Sequence, residues 1–114
     1  MSDCIFCRII HKQLPAQIVH EDDFSVAFED IHPKAPVHVL VIPRVHIVSL
    51  DTMREGDKQV LGHLLLVAQK LARERGIAET GYRTVINTGP QAGQSVFHLH
   101  LHLLGGRSLG WPPG

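Results

Sequence analysis

The stretch VFHLHLHLL, residues 96–104, decides how this chain is read. Within it His98, His100 and His102 stand at every second position, with Leu99, Leu101 and Leu103 in the alternate places. Successive side chains of a β-strand point to opposite faces. The spacing therefore predicts a strand with one leucine face for a core and one imidazole face, its rings about 6.6 Å apart at ~3.3 Å per residue. An ordinary half-buried strand carries Thr, Lys or Glu on its polar face. Three of the chain's nine histidines in five residues point to chemistry.

Working outward, VHVLVIP (37–43) is a β-branched run stopped by Pro43 and reads as a buried central strand. QIVHEDD (17–23) and FSVAFED (24–30) read as two strands joined at the acidic turn Glu21–Asp23, and YRTVINTG (82–89) as another strand. IHPKAP (31–36) is a loop broken by two prolines. CIFCRIIHK (4–12) spaces Ile5 with Ile9 and Phe6 with Ile10, which predicts a short helix ending before Pro15. A longer helix over about 54–75 is expected, with Asp51 or Thr52 as cap. Its apolar stripe would be Leu61, Leu64, Leu65, Ala68, Leu71 and Ala72, and Gly76 would end it. The expectation is an α+β fold, an antiparallel sheet with the long helix packed on it.

The 114 residues suit one domain, 1–114, with a C-terminal tail from about 105 to 114 that lacks a periodic signal. Acidic and basic residues balance at a formal charge of zero, which argues against a nucleic-acid partner. No apolar run approaches membrane-spanning length, and MSDCIFCRII has no signal-peptide pattern. A cytoplasmic protein with no membrane partner is expected.

Two chemistries suit the imidazole row. The rings could chelate a catalytic metal, or one could act as nucleophile while its neighbours orient it and the substrate. The loop NTGPQAGQS (87–95), directly before the row, can present backbone N–H groups to a phosphate, which favours phosphate chemistry at an imidazole nucleophile.

HLHLHLL matches the His-φ-His-φ-His-φ-φ signature of the histidine triad (HIT) family, where φ is apolar. FEDIHPKAPVHVLVIPRVH (28–46), INTGPQAGQSVFHLHLHLLGGR (86–107) and the terminal GWPPG (110–114) are similar to its Hint branch. The resemblance covers nearly the whole chain. It implies a five-stranded antiparallel sheet with one long and one short helix, two copies pairing into a ten-stranded homodimer with the long helix near the interface. It also implies a purine nucleoside phosphoramidase that splits the P–N bond of adenosine 5′-phosphoramidates, giving AMP and an amine through a nucleotidyl-histidine intermediate. Dinucleoside polyphosphate hydrolysis and a binding or scaffold role with incidental hydrolysis are the alternatives.

By the same resemblance His100 is the nucleophile, His102 binds the phosphate, His98 supports His100, His38 joins a proton relay, and Ser95 hydrogen-bonds the departing nitrogen. Gly93, Gln94 and Asn87 lie by the phosphate and ribose. Asp30 takes the ribose hydroxyls, for which two acceptor oxygens suit a cis-diol. Phe6, Ile9, Phe28 and Ile31 wall the base, with Leu14 a weaker candidate, and Trp111 in the tail reaches towards a partner's site. Taken without the resemblance, Phe6, Ile9 and Phe28 read as core and Asp30 as a turn carboxylate. His11, His20 and His63 read as surface or boundary residues, and His32 could approach a ligand beside Asp30.

Cys4-x-x-Cys7 is too short to hold zinc alone, since a closed tetrahedral site needs four ligands. Zinc-bearing members of the superfamily join such a pair to His46 and His98. The resemblance thus implies a structural Zn2+ on Cys4, Cys7, His46 and His98, with no cofactor required for catalysis.

Overall fold

Val39 and Val41 point to one side of the central strand, and Leu40 and Ile42 to the other; all four are buried. This strand, β3 (Val37–Pro43), is therefore covered on both faces, as its unbroken apolar run predicts. The computed structural model describes residues 3–114; Met1 and Ser2 of the N-terminal stretch read above lie outside it. The elements before β3 are α1 (Ile5–Ile10), β1 (Ile18–Glu21) and β2 (Ser25–Glu29). After it come α2 (Lys58–Glu74), β4 (Tyr82–Val85) and β5 (Leu101–Gly105). The strands form one antiparallel sheet in the order β1-β2-β3-β5-β4, the expected five-stranded architecture with one long and one short helix.

The alternation sorts the core into two layers. Ala27, Val39, Val41, Leu99, Leu101 and Leu103 pack against Leu64, Val67, Ala68, Leu71 and Ala72 of α2. On the opposite face Val26, Phe28, Leu40 and Ile42 pack against Phe6, Ile9 and Ile10 of α1. The even-numbered histidines share this second face. Among the described residues no helix is long and apolar enough to cross a membrane.

Three local expectations are corrected. The last strand begins at Leu101 and not at Val96, so of the three histidines only His102 lies inside it. Its partner β3 stops at Pro43, which has no N–H for the ladder. The Leu99 N–H turns instead to the Ile47 carbonyl, at 2.6 Å. The alternation nevertheless persists, and Leu99 stays in the core. The long helix starts at Lys58, and neither Asp51 nor Thr52 caps it. Thr52 Oγ1 closes a short 3-10 turn on Ser49, accepting from its N–H at 3.2 Å and donating to its carbonyl at 2.9 Å, a local competition typical of hydroxyl side chains. The buried stripe takes in Val67, while Leu65 is 44% exposed. Gly76, at φ +73°, ends the helix as expected. The fourth strand is shorter than read, ending at Val85, where its pairing with β5 reaches His102.

Candidate active site

The α1 face of the sheet opens into a cleft of about 420 Å3. Phe6, Ile9, Leu14, Phe28 and Ile31 line its apolar part, and Asp30, Ser95, His100 and His102 its polar part. The expected base-walling residues, the carboxylate and two of the three row histidines thus meet around one space. Phe6 is the hinge of the arrangement. Its ring stands edge-on to Phe28 at 5.4 Å and to His100 at 5.1 Å between centroids. A large apolar side with a few convergent polar groups is the usual make-up of a small-molecule site.

The hydrogen bonds determine which ring nitrogens carry protons, because a carbonyl only accepts and a backbone N–H only donates. His100 Nδ1–H donates to the His98 carbonyl at 2.8 Å, leaving Nε2 with its lone pair. The Lys34 N–H donates to His38 Nδ1 at 3.0 Å, so the His38 proton sits on Nε2. That Nε2–H donates to His102 Nδ1 at 2.9 Å, and Asp30 Oδ2 lies 3.3 Å from the same nitrogen. His102 is then left with its own proton on Nε2 as a donor. The backbone amide of Lys34 thus sets the tautomers of two successive imidazoles. Burial supports the neutral forms. It pushes His102 down to about 4, helped by the neighbouring His100 and His38. It also lowers His38, where the pull of Asp30 is the weaker effect.

His98 is fully buried and belongs to a different cluster. Its Nε2–H donates to the Pro43 carbonyl at 2.8 Å, which turns a bare Nδ1 away from the cleft. That Nδ1 lies 3.5 Å from Cys4 Sγ, 3.6 Å from Cys7 Sγ and 3.1 Å from His46 Nδ1. Cys7 Sγ is 3.3 Å from His46 Nδ1. With bonds of about 2.3 Å to sulfur and 2.0–2.1 Å to nitrogen, tetrahedral zinc sets its ligand atoms roughly 3.3–3.8 Å apart. The donor set fits that ion, and the three sulfur–nitrogen spacings fall in this range, while the two nitrogens, at 3.1 Å, lie slightly closer. Burial pushes His98 down to about 4, with the pull of the Pro43 carbonyl too weak to offset it, so the ring is neutral and able to ligate near pH 7.

Other expected site residues are placed differently. Gln94 is buried in its own loop. Its Nε2 donates to the Val48 and Val96 carbonyls, and its Oε1 accepts from the Gly89 N–H at 2.9 Å, so the side chain braces the loop instead of facing the cleft. Gly93 holds φ +91°, a left-handed turn that brings Ser95 to the cleft. Asn87 lines a second cleft, on the β4 side. Trp111 is 81% exposed, with the Arg83 guanidinium 5.9 Å over its ring. His32 contributes its N–H, which donates to Asp30 Oδ1 at 2.8 Å and orients that carboxylate.

One cluster escaped the reading of the sequence. Asp22 Oδ2 accepts from His20 Nε2 at 2.7 Å, His63 Nε2 at 2.8 Å and Ser25 Oγ at 2.9 Å. Oδ1 accepts from the N–H groups of Phe24 and Ser25. Burial would raise the carboxyl, but the hydrogen bonds from His20, Phe24 N–H, His63 and Ser25 outweigh it and hold the group far below the usual carboxylate range. His20 and Asp22 are close in sequence; nothing local could have predicted His63, which arrives from α2.

A family model described as "HIT domain" matches residues 11–109. An uncharacterized HIT-like protein of Synechococcus elongatus is 56% identical over 113 residues, 99% of this chain and 98% of its own length. Another, of Synechocystis, is 52% identical over 99% and 98%. Among solved structures, a HIT family hydrolase from Legionella pneumophila superposes with a TM-score of 0.97 at 46% identity, covering 98% of this chain and all of that one. A histidine triad nucleotide-binding protein from Candida albicans gives a TM-score of 0.83 at 34% identity, over 96% and 83% of the two chains.

Proposed function

This chain belongs to the HIT domain family, and from that premise we propose that it is a purine nucleoside phosphoramidase acting on adenosine 5′-phosphoramidates. The observation that carries the reading is the His100 Nδ1–H to His98 carbonyl bond, which leaves a lone pair on Nε2 at the edge of the apolar cleft. An imidazole so held, with the Nε2 lone pair directed at the cleft, is a competent nucleophile.

The base lies between Phe6, Ile9, Phe28 and Ile31, and the Asp30 carboxylate accepts from the ribose cis-diol. His100 Nε2 attacks the α-phosphorus. The P–N bond breaks, its electron pair leaves on nitrogen, and that nitrogen, with Ser95 Oγ as its hydrogen-bond partner, takes a proton from solvent, which the attacking water gives back in the second step. The His98 carbonyl, aligned with Nδ1–H, stabilises the positive charge the ring acquires. His102 Nε2–H donates to a non-bridging phosphate oxygen, and His38 holds His102 in that tautomer. Water then attacks phosphorus, the bond to His100 breaks, and AMP leaves with the imidazole regenerated.

Cys4, Cys7, His46 and His98 would hold one Zn2+ as a structural ion. When bound, it ties α1, with its Phe6 wall, to the segment that carries His100. We also infer a homodimer with its ten-stranded sheet completed through β4, one of the two edge strands, beside the exposed Leu65 and Leu66 of α2. A cytoplasmic setting suits a thiolate site of this kind.

The test compares adenosine 5′-phosphoramidate with diadenosine polyphosphates, using wild type and His100→Ala with and without a chelator. The phosphoramidate should turn over faster, only with His100 present. Faster turnover of the polyphosphate would replace the proposed substrate class.

A further inference from the structure

We propose that the second cleft, on the β4 side of the histidines, is an anion-recognising subsite for the departing amine, so that the phosphoramidates cleaved best carry a carboxylate or phosphate on that amine. This rests on the phosphoramidase reading above. The cleft, about 630 Å3, is lined by Lys34, Arg83, Asn87, Ala92, Leu104 and Arg107, together with the C-terminal tail.

Its place follows from the strand register. Leu104 is two residues beyond His102 on the same face, paired with His38 on β3 and Arg83 on β4. His102 itself is paired with Leu40 and Val85. Asn87 and Ala92 belong to the loop that delivers Ser95 to the first cleft. The reacting centre around His100, His102 and Ser95 thus has the apolar cleft on its β2 side and this cleft on its β4 side. A nucleoside seated in the first leaves the second for whatever is attached across the scissile bond.

The chemistry of the second cleft is cationic. Among the described residues none of Lys34, Arg83 and Arg107 forms an ion pair with a side-chain or terminal carboxylate. They are held by carbonyls instead. Arg107 Nη2 donates to the Lys34 carbonyl at 2.8 Å, Lys34 Nζ to the His32 carbonyl at 2.8 Å, and Arg83 Nη2 to the Gly110 carbonyl at 2.9 Å. In a chain with no formal net charge, three cations at one cleft that also takes in the terminal Gly114, with no carboxylate within ion-pair distance of any of the three among the described residues, are a local excess. The Lys34 carbonyl also accepts from Arg107 Nε at 3.2 Å, and Arg107 Nη1 donates to the Ser108 carbonyl at 2.9 Å. These carbonyls position the cations without neutralising them, which leaves the charge for a ligand.

Three adenosine 5′-phosphoramidates test the proposal, their amines being β-alanine, 2-aminoethyl phosphate and β-alanine methyl ester. We measure kcat/KM on wild type, and dissociation constants by calorimetry on the His100→Ala background. Either anionic form should be favoured over the ester by roughly three- to tenfold, a ratio that shrinks with added salt, as expected for partly exposed charges. The larger ratio identifies the preferred anion. Lys34→Met and Arg107→Met should each move the ratio towards one, and Lys34→Arg should keep it. Equal or better use of the ester by wild type, or a ratio unchanged in both methionine variants, overturns the subsite. If none of the three is turned over but the anion preference in binding persists, the phosphoramidase reading fails and the subsite stands.

Discussion

His100 donates its Nδ1–H to the backbone carbonyl of His98 at 2.8 Å, so one member of the histidine row sets the tautomer of the next through the main chain. The division of labour along the row follows. His98 gives its carbonyl to His100 and its Nδ1 to the cysteine cluster, while His102 is governed from β3 by His38.

The first prediction concerns that bond. His100→Ala should lower kcat/KM for adenosine 5′-phosphoramidate by at least about a thousandfold, since it removes the nucleophile and not a helper. Ser95→Ala should cost less, about ten- to a hundredfold, and more for amines of high basicity than for good leaving groups. Rapid-quench assays over a series of amines read both. Retained turnover in His100→Ala would show the assignment to be wrong.

The depressed titration of His38 and His102 predicts a pH dependence of stability. Both folded values lie below the ordinary histidine value of 6.5, that of His102 at about 4. Between those limits the unfolded chain takes up protons that the folded chain refuses. Their stabilising effect is therefore complete above about pH 6.5 and declines as pH falls towards 4. Thermal unfolding should show Tm falling through this window, and His102→Gln should flatten the slope. An identical slope in that variant would assign the effect elsewhere.

Metal removal provides a third test. Elemental analysis of wild type should find about one zinc per chain, and Cys4→Ser/Cys7→Ser should find none. A chelator should lower the Tm of wild type and leave that of the double variant unmoved, because a ligand bound only by the folded state stabilises it. Equal zinc in both proteins would remove the site.

The Asp22 cluster predicts a stability effect far from the cleft. Its carboxylate joins the turn after β1 to α2 through His63, and Asp22→Ala leaves several donors without their acceptor. A loss of about 2 kcal/mol in urea unfolding is expected, with little change in KM. A loss below about 0.5 kcal/mol would mean that water replaces the carboxylate without cost.

The alternation in VFHLHLHLL and the apolar run VHVLVIP were enough to give an antiparallel sheet, a leucine face for the long helix and a histidine face opposite. Such a pattern is local, because the period of two belongs to the strand itself. The sequence likewise indicated Cys4, Cys7, His46 and His98 as a set, though only through resemblance. What tertiary structure decided were the pairings between distant segments. The Pro43 carbonyl committed one nitrogen of His98 and freed the other; the Lys34 amide set the tautomers of His38 and His102. Gln94, read as a ligand contact, became a loop brace, and His63, read as a surface or boundary residue, reached Asp22. Spacing along a chain says which face a side chain takes. Which atom carries its proton depends on the partner that folding brings within about 3 Å, and that partner lies far away in sequence.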